Sequence, residues 1–274
     1  MSRAIAAHHG KFGRACLYEL DRSMAMHAHR EGHLIFLLEG PEPQMHIAGK
    51  PYTSSSSVAI AINPLQPHDL RVKDDGAVTL MLVLYINPLW FLEAGDDTES
   101  ALRFGQSVMV VSPLMKKLVQ CVAELLISGD HRVLFDTVLF DLTQLCRDQS
   151  WHDAPEERRR CNTLGGIRDH RVRKATRLMK ERLGNELLLD DIANDSALSR
   201  PHFYKLFREN VGITPNVYLN TLRMECAIDR LVSTNQAVTS IGLDLGFASQ
   251  ASFSRFFVSN VGIPPTDYRR VAHH

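Results

Sequence analysis

The sequence predicts an α+β protein: an N-terminal β-barrel with two following helices, then an all-α domain of two helix-turn-helix units joined by a linker helix. Three observations carry the prediction. Residues 33–86 hold short apolar runs separated by turn residues, residues 112–149 show helical periodicity, and residues 199–218 recur, fifty positions on, as 249–268. The domains expected are a barrel over 1–110, a helical pair over 111–150, a linker over 151–168 and the helix-turn-helix domain over 169–272, its units at about 189–210 and 238–260.

The strands come first. Residues 34–38 (LIFLL), 58–62 (VAIAI) and 78–86 (VTLMLVLYI) are continuous apolar runs of buried-strand type, set apart by GPEP, GK, SSSS and NPLQP. Short strands so closely spaced indicate a small barrel or sandwich. Two amphipathic helices follow, over 112–128 and 131–149. Leu114, Leu118, Cys121, Val122 and Leu125 make one apolar stripe, and Leu134, Val138, Leu142 and Leu145 the other. Both stripes are expected to cover the barrel, with a homodimer contact as the alternative.

Length and composition bound the function. At 274 residues with 45% hydrophobic and 23% charged, the chain can bury two ordinary cores. No run of about 18 apolar residues predicts a membrane span, and the N-terminal apolar run is too short for a secretory signal. Five scattered cysteines without a CxxC pair point to free thiols in a reducing, cytoplasmic compartment. The net charge of zero hides a split: from Arg158 onward there are 18 Lys+Arg against 11 Asp+Glu, leaving 13 against 20 upstream. The basic half suits a polyanion.

The repeat is the most informative feature. Between 199–218 and 249–268, nine of 20 positions are identical, among them Phe203/Phe253, Phe207/Phe257, Gly212/Gly262, Pro215/Pro265 and Tyr218/Tyr268. Duplication of one structural unit accounts for this. In the first copy LLLDDIA opens a short helix, NDSAL turns the chain, and Ser199 stands at the N-cap of the next helix, with Pro201 tolerated in its first turn. At 3.6 residues per turn Phe203, Leu206, Phe207 and Asn210 share one side. The other side carries Pro201, Tyr204, Lys205 and Arg208, with Arg200 at its margin. In the second copy Gly246 takes the positive-φ turn position and Ser249 the cap, and the outer face carries Ala251, Ser254, Arg255 and Val258 with Gln250 at its edge. Arg and Lys reach guanine acceptors or phosphates, Gln reads adenine, and Ala meets a thymine methyl. Residues 216–234 have helical periodicity and form the linker helix, so both readers enter successive major grooves of double-stranded DNA, about 10 base pairs apart.

At these residues the chain resembles the AraC/XylS transcription regulators. RVRKATRLMKERL is similar to that family's leading helix and LRMECAIDRLV to its inter-motif linker. IGLDLGFASQASFSRFFVSNVGIPPTDYR carries its signature: GF, S-x-F-x-R-x-F, G-x-x-P and Y-R. The resemblance covers about 169–270. It implies a seven-helix DNA-binding domain, promoter recognition, activation by contact with RNA polymerase, and the base-facing set already named. Three positions depart from the family: Leu188 where a capping Ser or Thr is usual, Ala197 for a Gly, and Gly242 for an Ala.

HAHREGHLIFLLEG, with INPLQPH later, resembles more loosely the cupin-like barrel that such regulators carry as an effector domain. Metal-binding cupins show H-x-H, a Glu, a Gly and a later His. His27, His29, Gly40 and His68 are in register, but His33 stands at the glutamate position. An organic small-molecule effector touching His27, His29, His33 and His68 is the preferred expectation, with His46, Tyr52 and Trp90 as further lining candidates. No resident cofactor is expected. If a metal is bound, such as Zn(II), Ni(II) or Fe(II), the same four histidines are its ligands. The rival class is a cupin-type metal-dependent enzyme with an appended helical domain, weakened by the missing carboxylate and by the lack of a nucleophile elbow, phosphate loop or HExxH. A protein-interaction adaptor has no use for two outward base-reading faces. The expectation is an effector-responsive, non-enzymatic activator of transcription.

Overall fold

The computed structural model describes residues 2–72, 76–95, 102–129, 133–155, 167–184 and 187–272. The N-terminal half folds as two antiparallel sheets. One has six strands in the order β1 (Arg3–Gly10), β2 (Gly13–Leu20), β9 (Thr79–Ile86), β4 (Gly32–Glu39), β7 (Val58–Ile62), β10 (Val108–Val110). The other has four, ordered β3 (Met24–His27), β8 (His68–Arg71), β5 (Gln44–Ile47), β6 (Lys50–Thr53). The three apolar runs are β4, β7 and β9, which adjoin one another at the centre of the larger sheet. Both of their faces are covered, which is why they read as continuous apolar runs instead of alternating. The pairing Leu34↔Leu84, Phe36↔Leu82 puts Leu34, Phe36, Ala59, Ala61, Leu82 and Leu84 on one face. The other face, with Cys16, Tyr18, Ile35, Ile60, Val83 and Tyr85, meets Met45, Ile47 and Leu70 of the smaller sheet.

The first face is roofed by α1 (Pro88–Ala94), α2 (Pro113–Ser128) and α3 (Val133–His152). Ser112 caps α2, its hydroxyl accepting from the Met115 amide at 3.2 Å. The buried face of α2 is not the expected stripe: Met115, Val119, Val122, Ala123 and Leu126 are inside, Leu118, Cys121 and Leu125 are half-buried, and Leu114 is 55% exposed. On α3 Phe135, Leu139 and Cys146 join Val138 and Leu142 inside, while Leu134 is 59% exposed. The apolar arc of each helix is wider than the layer it covers. The sheet therefore selects positions rotated by about 100° from those expected. Helix α3 runs into the stretch read as a linker, whose residues 156–166 lie outside the described residues.

Seven helices are described in the C-terminal half: α4 (His170–Glu181), α5 (Leu189–Asp195), α6 (Arg200–Val211), α7 (Pro215–Ser233), α8 (Val238–Asp244), α9 (Gln250–Val261) and α10 (Pro265–Ala272). Phe203 and Phe207 sit in the core of the first unit with Val172, Met179, Ile192 and Leu222. Phe253, Phe257, Ile241 and Tyr268 form the core of the second, and that core is continuous with the inner face of the barrel. Among the described residues no helix is long and apolar enough to cross a membrane.

Candidate nucleic-acid interface and histidine site

Each unit is a short helix, a turn and a longer helix, but the copies are not identical in length. Helices α6 and α9 are fifty residues apart, as are Gly212 and Gly262 after them, whereas α5 and α8 are forty-nine apart. The first turn spans 196–199 and the second 245–249. Gly246 adopts φ 80 as expected, and its counterpart, Ala197, is held at φ 56. A Cβ there crowds the following carbonyl, at roughly 1–2 kcal/mol. Ser249 caps α9 in a reciprocal pair with Ser252, but Ser199 and Leu188 make no side-chain cap bond. Gly242 has a packing reason: a Cβ at this position would stand 2.8 Å from the Cβ of Phe253.

With both phenylalanine pairs buried, Lys205, Arg208, Gln250, Ala251 and Arg255 are exposed, as are Arg200 and Pro201, while Tyr204 and Ser254 are half-buried. Two of these are positioned by neighbours that the sequence did not single out. The Thr239 hydroxyl donates to Gln250 Oε1 at 2.6 Å, and Asn216 Nδ2 donates to the Tyr204 hydroxyl at 3.2 Å. Arg200 pairs with Asp190 at 3.1 Å. Lys205, Arg208 and Arg255 have no ion-pair partner among the described residues, so their cations face solvent, as phosphate or base contacts require.

The four expected histidines come together inside the barrel although they arise from β3, the 28–31 turn, β4 and β8. His27, His29, His33 and His68 are all at most 6% exposed. Ring centroids are 4.4 Å apart for His27 and His68, 4.8 Å for His27 and His29, and 5.3 Å for His33 and His68. His27 Nδ1 donates to the Ala25 carbonyl at 2.6 Å and His68 Nδ1 to the Gln66 carbonyl at 2.9 Å. A carbonyl only accepts, so in the neutral ring each Nε2 keeps its lone pair. The Nε2 atoms of His29 and His68 and both nitrogens of His33 are buried without a hydrogen-bond partner. Burial holds all four imidazoles below their ordinary pKa, helped at His29, His33 and His68 by neighbouring imidazoles and at His27, His29 and His33 by Arg14.

Of the further lining candidates, Trp90 is on the wrong face. It packs with Phe12 and Phe140 in the layer between sheet and helices, because it lies on α1, which covers the outer face of the larger sheet. His46 alternates with inward Met45 and Ile47 and instead bonds Asp69 at 2.8 Å. Tyr52 packs partly buried against the inner core. Arg14 was missed. Its guanidinium lies 3.7 Å from the Tyr85 ring centroid and 3.9 Å from Glu31, and 3.5 Å from His29 Nδ1. The alternation of Arg14 with Cys16 and Tyr18 was the available signal.

The barrel and the helical half share a polar joint. Thr221 Oγ1 donates to the Ala28 carbonyl at 3.0 Å, Arg30 Nε to Glu225 at 2.6 Å, and Tyr268 Oη lies 3.0 Å from His9 Nε2. His9, Arg14, Glu31, Glu225 and Asp229 line a cavity of about 260 Å³ at this joint.

Residues 16–136 match the AraC-like ligand binding domain, and residues 192–271 match a helix-turn-helix domain family. The chain is 31% identical to the regulatory protein PocR of Salmonella typhimurium over 43% of its own length and 40% of PocR. It is 34% identical to the Tn10 TetD protein of Escherichia coli over 34% of its length and 67% of TetD. It is 23% identical to the probable transcriptional regulator LumQ of Photobacterium leiognathi over 91% and 94% of the two chains. Several curated relatives are matched over only 30–40% of their own lengths. The fold as a whole resembles that of fatty-acid-bound ToxT from Vibrio cholerae (TM-score 0.55, 15% identity, 99% of this chain and 95% of that one). A ligand-binding barrel followed by a duplicated helix-turn-helix, matched in both halves, places the chain in the AraC/XylS family of DNA-binding transcription regulators.

Proposed function

We propose that this chain is a cytoplasmic, effector-responsive activator that binds one face of double-stranded promoter DNA through α6 and α9. The observation that carries this reading is the pair of like-built units, each with its aromatic pair buried and its cations exposed. Arg200, Pro201, Tyr204, Lys205 and Arg208 serve one major groove, and Gln250, Ala251, Ser254 and Arg255 the next. Occupancy of the barrel alters how it packs on α7 and α10, and so changes DNA affinity or contact with RNA polymerase. The exposed residues Leu114, Ile127 and Leu134 on α2 and α3 support a homodimer through the roofing helices. The role is regulatory, not enzymatic.

Selection of duplexes from a random pool by the full chain tests this. Enrichment of two short motifs about 10 base pairs apart is expected. Recovery of unrelated sequences, with affinity governed by salt alone, overturns it.

A further inference from the structure

We propose that His27, His29 and His68 hold a divalent first-row transition-metal ion, and that this ion sets the joint between the barrel and the two DNA-reading units through residues 28–30. One ring nitrogen from each of the three lies within 4.8 Å of the others. An ion at about 2.0–2.1 Å from each nitrogen needs them roughly 3.3 Å apart, a closure reached by small ring rotations. Backbone carbonyls hold the Nδ1 protons of His27 and His68 and leave Nε2 as the lone-pair atom. That is the outer-shell arrangement which orients metal-bound imidazoles. The buried Nε2 of His68 has no hydrogen-bond partner, a standing cost to the fold that an ion removes, and His29 keeps a lone pair on Nδ1, toward which the Arg14 guanidinium donates at 3.5 Å. Rings at 4.4 to 5.3 Å centroid separation leave space between them for an ion and not for an organic molecule. The donors are nitrogens alone, which select ions of the Zn(II), Ni(II), Co(II) class over Mg(II) or Ca(II). His33, with both nitrogens free and its ring stacked on Tyr85, faces the remaining side of the group.

The same turn makes the joint. Ala28, between two of the ligands, packs into the core of the first unit, and its carbonyl accepts from Thr221. Arg30, next to His29, is paired with Glu225 on α7. The His29 carbonyl accepts from the Leu65 amide at 2.6 Å, and Leu65 also packs on the first unit. Drawing His27 and His29 toward His68 therefore pulls on residues that touch the linker helix. The regulatory half of the proposal rests on the reading of the chain as a DNA-binding regulator. The metal half does not.

The test uses tag-free full chain stripped of metal and titrated with Co(II), then Zn(II), with Mg(II) as control. One Co(II) per chain is expected, with the absorption bands of a nitrogen-ligated site, retained in His46→Gln and lost in His27→Gln and His68→Gln. Zn(II), and not Mg(II), should raise the melting temperature of the wild-type chain, a readout that needs no variant. Absence of stoichiometric Co(II), or equal binding by the ligand variants, overturns the metal site. On duplexes enriched from a random pool, Zn(II) should change Kd by 5- to 150-fold, the usual range of coupling between sites. Thr221→Val should keep one Co(II) per chain and bring that ratio toward one. Unchanged Kd with bound Zn(II) overturns the coupling. Failure to enrich any duplex overturns the regulator reading and leaves the Co(II) stoichiometry to stand by itself.

Discussion

The hydroxyl of Tyr268 lies 3.0 Å from Nε2 of His9, so the last helix of the second unit is tied to the first strand of the barrel across 259 positions of chain. Its repeat counterpart, Tyr218, packs edge-on to Phe207 and lies near Arg30 and Glu225. One duplicated tyrosine thus serves two different points of the same joint. Tyr268→Phe should destabilise the chain by about 1 kcal/mol, because one hydrogen bond goes and His9 Nε2 is left unpaired. Urea denaturation compared with Tyr218→Phe checks this, and equal effects would count against the special role of Tyr268.

Burial, reinforced by Arg14 and His8, holds His9 down at about 3 against its ordinary 6.5. The folded chain keeps this ring neutral where the unfolded chain takes up a proton. Its contribution is therefore complete above pH 6.5 and is lost as pH falls from 6.5 toward 3, by at most ~1.4 kcal/mol per pH unit. His9→Gln should flatten the dependence of unfolding free energy on pH between 6 and 4. An unaltered slope would show that other groups carry it.

Ala197 at φ 56 and Gly246 at φ 80 occupy the same turn position in the two units. Ala197→Gly should stabilise by roughly 0.5–1 kcal/mol, and Gly246→Ala should destabilise by about 1–2 kcal/mol. Thermal melts of the two variants test the pair. A stabilised Gly246→Ala chain would contradict the assignment of the turn.

Arg255, exposed on α9 and without an ion-pair partner among the described residues, should read a base. Arg255→Ala is expected to lower the preference for selected over random duplexes by roughly 1–3 kcal/mol. Equal loss on both duplexes would make it a phosphate clamp.

Leu114 and Leu134 are more than half exposed on the roofing helices. Sedimentation of the wild-type chain should show dimers, and Leu114→Glu should shift them to monomers without loss of helical content. A wild-type chain that is monomeric at all concentrations would remove the dimer from the proposal.

The helix-turn-helix pair was legible because everything that makes it is local. The Gly246 turn, the Ser249 cap, Pro201 in a first helical turn and aromatic residues four apart act within one or two helical turns, and the fifty-residue repeat states the aromatic pairs and the Gly212/Gly262 and Pro215/Pro265 punctuation twice. The three central strands were legible for a similar reason, since burial on both faces leaves an unbroken apolar run. The strands of the first thirty residues were not read, because Ala and His dilute the alternation of β1 and because Arg14 and Glu19 interrupt the apolar run of β2.

The residue types, the repeat, the strand runs and the histidine spacing were determined by the sequence alone. Only the tertiary structure decided which edge of α2 faces the sheet, that Trp90 lies outside the barrel, and that Arg14, His9 and Tyr268 meet. Those outcomes are set by contacts between residues tens to hundreds of positions apart, where periodicity along the chain carries no information about which of several apolar or polar faces finds a partner.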